Sequence, residues 1–211
     1  ANPVAWNKNA LITGANAPGK STYVKSIAVN AILAQTINTV LAEKLTMQPG
    51  LVMTAMAVRD DLSEGDSYFV AEIKAIHRLL RAVASNKRVY GFIDEILKGT
   101  NTVERIAASA SVINWLSHYP SLVVVATHDN ELTDIMGEQC INWHFQEKVT
   151  QKDGVVFDYL LHQGPATSHN AIALLATMAY PEPLIKDARQ LAADFERNKA
   201  WPKYRQGGIQ A

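Results

Sequence analysis

The chain has 211 residues, 48% of them hydrophobic, and its 20 basic and 20 acidic side chains cancel to a formal net charge of +0; this suits one ordinary α/β domain with a full core and removes the electrostatic footprint of a strong duplex-DNA binder. Cys140 is the single cysteine, which excludes an internal disulfide and a multi-cysteine zinc site, suits a reducing cytoplasm and reads as a small apolar filler. No apolar run approaches the roughly 18 residues of a membrane span and no secretory leader is visible, so a soluble, cytoplasmic protein without a membrane partner is expected.

Ala10-Leu11-Ile12-Thr13 reads as a short apolar strand, followed by Gly14-Ala15-Asn16-Ala17-Pro18-Gly19-Lys20-Ser21 and then by helix-compatible composition over residues 22–34. Strand, loop and helix form the context that G-x-x-x-x-G-K-[ST] requires. Such a loop wraps backbone N–H groups around phosphates, aims a helix N-terminus at them and supplies Lys20 as a point charge for the β- and γ-phosphates. Ser21 is placed to ligate Mg²⁺ through its hydroxyl. With this many matched positions, a Gly-rich turn carrying a solvated lysine is the weaker account, and the chain is expected to bind a nucleoside triphosphate. The loop begins at residue 14, whereas domains of this class place strands before it that hold the base; the sequence therefore reads as amino-terminally truncated.

Residues 36–47 are ambiguous. Pro49-Gly50 then turns into an apolar run over 51–57, read as a buried strand, and a polar loop covers 59–66. From Ser67, a candidate N-cap, the apolar residues Phe69, Val70, Ile73, Ile76, Leu79, Leu80 and Val83 recur at helical spacing. Residues 88–94 read as a buried strand, 103–116 as a helix and 122–127 as a second buried strand. This βαβα rhythm predicts an α/β fold with a mostly parallel sheet flanked by helices.

Beyond it, 141–150 and 155–162 form a predicted hairpin around Lys152-Asp153-Gly154. Two helices follow over 170–178 and 184–197, separated by Pro181-Glu182-Pro183. In the second, Leu184, Ile185, Ala188, Leu191, Ala192 and Phe195 make one apolar face, which either packs on its own domain or meets a second subunit. The expected boundaries are a core over 1–163, a C-terminal helical dimerisation element over 164–200 and a frayed tail over 201–211.

Tyr90-Gly91-Phe92-Ile93-Asp94-Glu95 is a mostly apolar strand ending in two carboxylates. At the carboxyl end of a buried strand beside a phosphate loop, Asp94 can hold Mg²⁺, usually through water, while Glu95 can orient or deprotonate the attacking water. Gly91 interrupts the bulky run and is expected to mark close approach of another backbone. Ala126-Thr127-His128-Asp129 closes the next buried strand, which makes His128 a candidate γ-phosphate sensor. His77, His118, His144, His162 and His169 lack such context and read as structural or surface residues.

Residues 14–22, Asp60-Asp61-Leu62-Ser63-Glu64-Gly65-Asp66-Ser67, Ile93-Asp94-Glu95 followed by Lys98-Gly99-Thr100-Asn101-Thr102, and Ala126-Thr127-His128 with Glu131-Leu132 together resemble the ATPase domain of the MutS DNA mismatch-repair family. The order and spacing agree across nearly the whole chain, and Ala1-Asn2-Pro3 and residues 164–168 with the helices after them resemble that domain's two ends. Single motifs here are shared with all ABC-type ATPases; the Thr-Gly-x-Asn start of the loop and the Asp-Asp-Leu-x-x-Gly-x-Ser segment favour MutS over a transporter or SMC-type ATPase.

The resemblance implies an ABC-ATPase-like P-loop NTPase fold, with ATP held by Gly14, Ala15, Asn16, Ala17, Pro18, Gly19, Lys20, Ser21 and Thr22 and Mg²⁺ by Ser21 and Asp94. It also implies a homodimer of head-to-tail ATPase sites, in which Ser67 acts in trans at a helix N-terminus facing the partner's γ-phosphate and residues 99–102 cross the seam. Nothing in the chain resembles the mismatch-reading, lever or clamp domains, so DNA contact is expected through domains outside it. Pro18 stands where the family typically has a residue with a backbone N–H, and Glu64 and Asp66 add negative charge where a small residue and an arginine are common. A divergent member with weaker nucleotide affinity is the expectation. Three functions follow from this reading: Mg²⁺-dependent ATP hydrolysis by a dimerising motor domain, with Glu95, His128 and Ser67 as catalytic residues; a nucleotide-gated dimerisation module with little hydrolysis; or another ABC-type ATPase subunit.

Overall fold

The computed structural model describes residues 2–14, 19–56, 68–85, 87–150, 154–166 and 171–204. Its elements run β1 (Ala10–Thr13), α1 (Lys20–Thr36), β2 (Leu51–Ala55), α2 (Tyr68–Ala84), β3 (Val89–Asp94), α3 (Thr102–Leu116), β4 (Ser121–Ala126), α4 (Glu131–Met136), a 3₁₀ turn (Gly137–Gln139), β5 (Ile141–Thr150), β6 (Gly154–Gln163), α5 (Ala171–Thr177) and α6 (Glu182–Asn198). Two compact units result, one made of Ala1–Gln146 with Phe157–Ser168, the other of Glu147–Val156 with His169–Ala211. No helix among the described residues is long and apolar enough to cross a membrane.

The six strands lie in the order β2-β3-β4-β1-β5-β6, and the pairs β2/β3, β3/β4, β4/β1 and β1/β5 are all parallel. Side chains alternate between the faces of a strand, and here both faces are covered. Leu11, Val89, Ile93, Val123 and Val125 join Ala75, Ile76, Leu79 and Val83 of α2 and Ile113 and Leu116 of α3 in one core cluster. Ala10, Ile12, Tyr90, Phe92, Val124 and Ala126 join Val24, Ala28 and Ala31 of α1 and Trp143 and Phe145 of β5 in the other. Burial on both faces is why β1, β3 and β4 read as continuous apolar runs in the sequence. Asn9 ties the inner strands at their start: its side-chain oxygen accepts from the Val123 N–H and its carbonyl from the Ile141 N–H.

Several expectations are corrected. Of the run at 51–57, Leu51–Ala55 forms a strand and residue 57 lies outside the described residues; that strand lies at the edge of the sheet with Ala55 as its one buried residue, and an edge strand has a partner on one side only. Gly91 marks close approach of side chains and not of another backbone, since a Cβ there would meet Val123 at 3.0 Å and Leu79 at 3.2 Å. The buried stripe of α2 runs through Glu72, Ala75, Ile76, Leu79 and Val83, while Val70 and Ile73 are exposed. α4 had no counterpart in the sequence reading; it is six residues long, and Leu132, Thr133 and Met136 are its buried residues. The ambiguous segment resolves into the end of α1, at Thr36, and irregular chain from residue 37 to 50.

Within the second unit, Ile185 of α6 is buried, Leu191 and Phe195 are half-buried, and Leu184 of the predicted apolar face is exposed. The Trp201 ring stacks on Phe195 with centroids 4.3 Å apart, and the Tyr204 hydroxyl donates to Asp187.

Candidate functional site

Parallel pairing brings the carboxyl ends of β1, β3 and β4 to one edge of the sheet, and each strand ends in polar residues: Thr13-Gly14, Asp94-Glu95 and Thr127-His128. The Thr127 N–H donates to the Ile12 carbonyl at 3.0 Å and the Glu95 N–H to the Ala126 carbonyl at 2.9 Å, so these three exits are hydrogen-bonded to one another.

The first exit is shaped by what stands behind it. Gly14 has φ +133° and Gly19 φ +153°, both in the region that favours glycine; a Cβ on Gly14 would lie 2.7 Å from the Phe145 carbonyl oxygen, and one on Gly19 would lie 3.2 Å from the Phe145 ring. β5 therefore forms a wall against both ends of the loop. Phe145 is braced by Tyr23 in an edge contact at 5.7 Å, and burial pushes the Tyr23 phenol up to about 12. Ala15, Asn16, Ala17 and Pro18 lie outside the described residues, as does Ser67.

α1 begins at Lys20, inside the motif. The Lys20 side chain is 3% exposed and Nζ donates to the Gly14 carbonyl at 2.6 Å. Ser21 Oγ donates to Asp94 Oδ1 at 2.8 Å, which joins the hydroxyl at the start of α1 to the carboxylate at the end of β3. Thr22 is exposed. The pair of hard oxygen donors fits Mg²⁺. Among the described residues no three His, Cys, Asp or Glu side chains converge as a metal cage, so a cation here would draw its other ligands from water and phosphate, the usual Mg²⁺ arrangement.

His128 Nδ1 lies 2.8 Å from Glu95 Oε2. An ionised carboxylate only accepts, so the partner assigns the proton to Nδ1. Asp129, next along, is buried and grips Arg105 of α3 with two bonds of 2.8 and 2.6 Å. The hydrogen bond to Asp129 raises the Arg105 pKa above its ordinary value, so the fork stays charged and fixes the residue adjoining His128.

The structure thus brings together Gly14, Gly19, Lys20, Ser21, Asp94, Glu95 and His128. Three features escaped the sequence reading: Phe145 as the wall, the Arg105–Asp129 fork, and Glu72 of α2, whose carboxylate accepts from the Lys98 and Gly99 N–H groups just beyond Glu95. A lone carboxylate on an otherwise apolar helical stripe was the signal for Glu72; the other two depend on long-range contacts.

The remaining histidines lie elsewhere. His77 and His118 are exposed, His144 meets the Gly164 carbonyl, His162 pairs with Asp158, and His169 is outside the described residues. Cys140 is buried, and burial pushes its thiol up to about 11, in keeping with a packing role. A cavity of about 570 Å³ lies at the opposite end of the sheet, beside Trp6, Asn9, Arg88 and Tyr119. Gly14, Lys20, Ser21, Asp94, Glu95 and His128 do not line it.

Residues 10–196 match the family model described as MutS domain V. A protein of Natronomonas pharaonis named DNA mismatch repair protein MutS is 31% identical over 197 residues, covering 92% of this chain and 23% of that protein. A Haloarcula marismortui protein named DNA mismatch repair protein MutS 2 is 31% identical over 193 residues, covering 89% of this chain and 20% of that protein. The chain therefore spans less than a quarter of the length of either curated relative. On the match over residues 10–196, the chain belongs to the MutS family.

Proposed function

We propose that this chain binds ATP with Mg²⁺ at the loop over residues 14–22 and hydrolyses it, serving as the dimerising motor domain of a MutS-like protein whose DNA contacts are made by other domains. The observation that carries the reading is one connected set at the sheet edge: Lys20 folded onto Gly14, Ser21 bonded to Asp94, and Glu95 bonded to His128. Lys20 neutralises phosphate charge, and Ser21 with Asp94 would hold Mg²⁺. When bound, the cation neutralises charge on the phosphates.

Glu95 is the general base for the attacking water. With Oε2 occupied by His128 Nδ1, its Oε1 takes the water's proton. His128 thereby orients the base, and its other ring nitrogen, 3.9 Å from Asp129 Oδ1, can donate to the γ-phosphate only when the ring carries both protons. Ser67 completes the partner's site in a head-to-tail dimer.

The test pairs calorimetry with phosphate release. Lys20→Ala should weaken ATP binding by about tenfold to a hundredfold or more, as loss of a charge-assisted bond worth roughly 1.5–3 kcal/mol requires. Glu95→Gln should bind MgATP normally yet lose turnover by about a hundredfold or more, because an amide cannot accept the proton. Unchanged affinity in the first variant would remove the phosphate-loop role. Wild-type turnover in the second would remove Glu95 as base. Tight ATP binding by the wild type without phosphate release would instead fit a nucleotide-gated dimerisation module.

A further inference from the structure

We propose that Glu72 is a positioning residue for the Glu95–His128 pair, clamping the loop that carries Glu95 onto α2 through the Lys98 and Gly99 N–H groups. The proposal rests on the ATP-hydrolysing reading above and concerns what holds that site's carboxylate in place.

Glu72 sits on the buried stripe of α2 beside Ala75 and Ile76 and is 4% exposed. A carboxylate at such a position is costly unless its oxygens are paired. Both are used: Oε1 accepts from the Lys98 N–H at 3.0 Å and Oε2 from the Gly99 N–H at 3.2 Å. One turn earlier on the same helix face, Phe69 presses on the same loop. A Cβ on Gly99 would come within 2.8 Å of the Phe69 Cβ, so this close approach requires glycine. Helix α2 therefore holds the loop both by hydrogen bonds and by contact.

The loop needs holding. Glu95 has φ +63° and Leu97 φ +53°, left-handed conformations that non-glycine residues seldom adopt and that persist where the surroundings over-determine them. Its start is tied by the Glu95 N–H to Ala126 and its middle by Ser109 Oγ to the Ile96 carbonyl at 3.5 Å, a long bond. Its end is tied by Glu72. Loss of that last tie lets the backbone at Glu95 relax, and with it the side-chain direction that sets the 2.8 Å contact to His128. An apolar residue would satisfy the packing at position 72, whereas accepting one bond on each of two side-chain oxygens requires a carboxylate.

Glu72→Gln keeps shape and one acceptor oxygen but turns an NH₂ group against one of the two donors. The expected results are affinity for a fluorescent ATP analogue within about twofold of wild type, single-turnover phosphate release slowed by about tenfold or more, and amide hydrogen exchange over residues 95–101 faster by about tenfold or more with β3 and β4 unchanged. Gly99→Ala, which pushes the same loop off Phe69 from the other side, should give the same three results. Exchange needs no turnover, so a wild type that releases no phosphate would sink the hydrolysis reading while exchange still decides the clamp. Unchanged exchange in Glu72→Gln overturns the proposal, as does wild-type turnover. A parallel fall of affinity and turnover also overturns it, by marking the residue as structural alone.

Discussion

A Cβ at Gly14 would stand 2.7 Å from the Phe145 carbonyl oxygen, on a backbone at φ +133° that side chains rarely adopt. Gly14→Ala must therefore displace the loop or β5, at a cost of roughly 1–3 kcal/mol. Calorimetry should return ATP affinity weakened by about tenfold or more, with a lower melting temperature; wild-type affinity would mean that the wall behind the loop is irrelevant to binding. Gly14, Lys20, Ser21, Asp94, Glu95 and His128, which motif spacing singles out in the sequence, come together at one sheet edge because parallel strands deliver their carboxyl ends there whatever the details of packing. The Ser21–Asp94 bond, across 73 residues, follows from that topology. Phe145 and the Arg105–Asp129 fork were not legible, because no local period encodes which residue of a distant strand or helix will stand behind a glycine or beside a histidine.

Among the elements, α2 explains best why periodicity located helices more reliably than their buried faces. Phe69, Ile73, Ile76, Leu80 and Val83 fit one helical stripe, and Glu72, Ala75, Ile76, Leu79 and Val83 fit another about one residue away; the first is the more apolar, yet the second is buried. The loop after β3 offers two N–H groups to Glu72, a partner invisible to any count of apolar residues. β2 was misread for a related reason: an apolar run records β propensity and not whether a second neighbour exists. Packing of α2 on β3 yields a quantitative expectation. Leu79 is fully buried, so Leu79→Ala should cost about 2–5 kcal/mol in urea denaturation. Gly91→Ala adds a methyl that Leu79 and Val123 crowd in the wild type, and it should destabilise alone by roughly 1 kcal/mol or more. In the double variant that methyl enters the space Leu79 vacated, so the double variant should lose less than the sum of the two single losses. Strict additivity would mean that the two side chains do not share that space.

For the whole molecule, the composite site proposed for Ser67 predicts how lesions combine. A mixed dimer of Lys20→Ala and Ser67→Ala chains has one site carrying both changes and one carrying neither, so phosphate release or ATP-dependent dimerisation should partly return on mixing. If Ser67 served its own chain's nucleotide, every site would keep one lesion and mixtures would give only the average. No gain in either measurement, with mixed dimers confirmed by mass, would count against a shared site. The chain also carries its own timepiece. Its one cysteine lies in the core cluster that α2 and α3 close over the sheet, and its thiol stays protonated until far above neutral pH. A thiol reagent that reaches Cys140 has therefore met a chain that has come open, and where reclosing outpaces the reagent the rate of labelling follows the population of the open form. Since a ligand that binds only the closed form lowers the open population by a factor of one plus the ratio of free ligand concentration to Kd, the same thiol can test the proposed binding of ATP with no dye and no turnover.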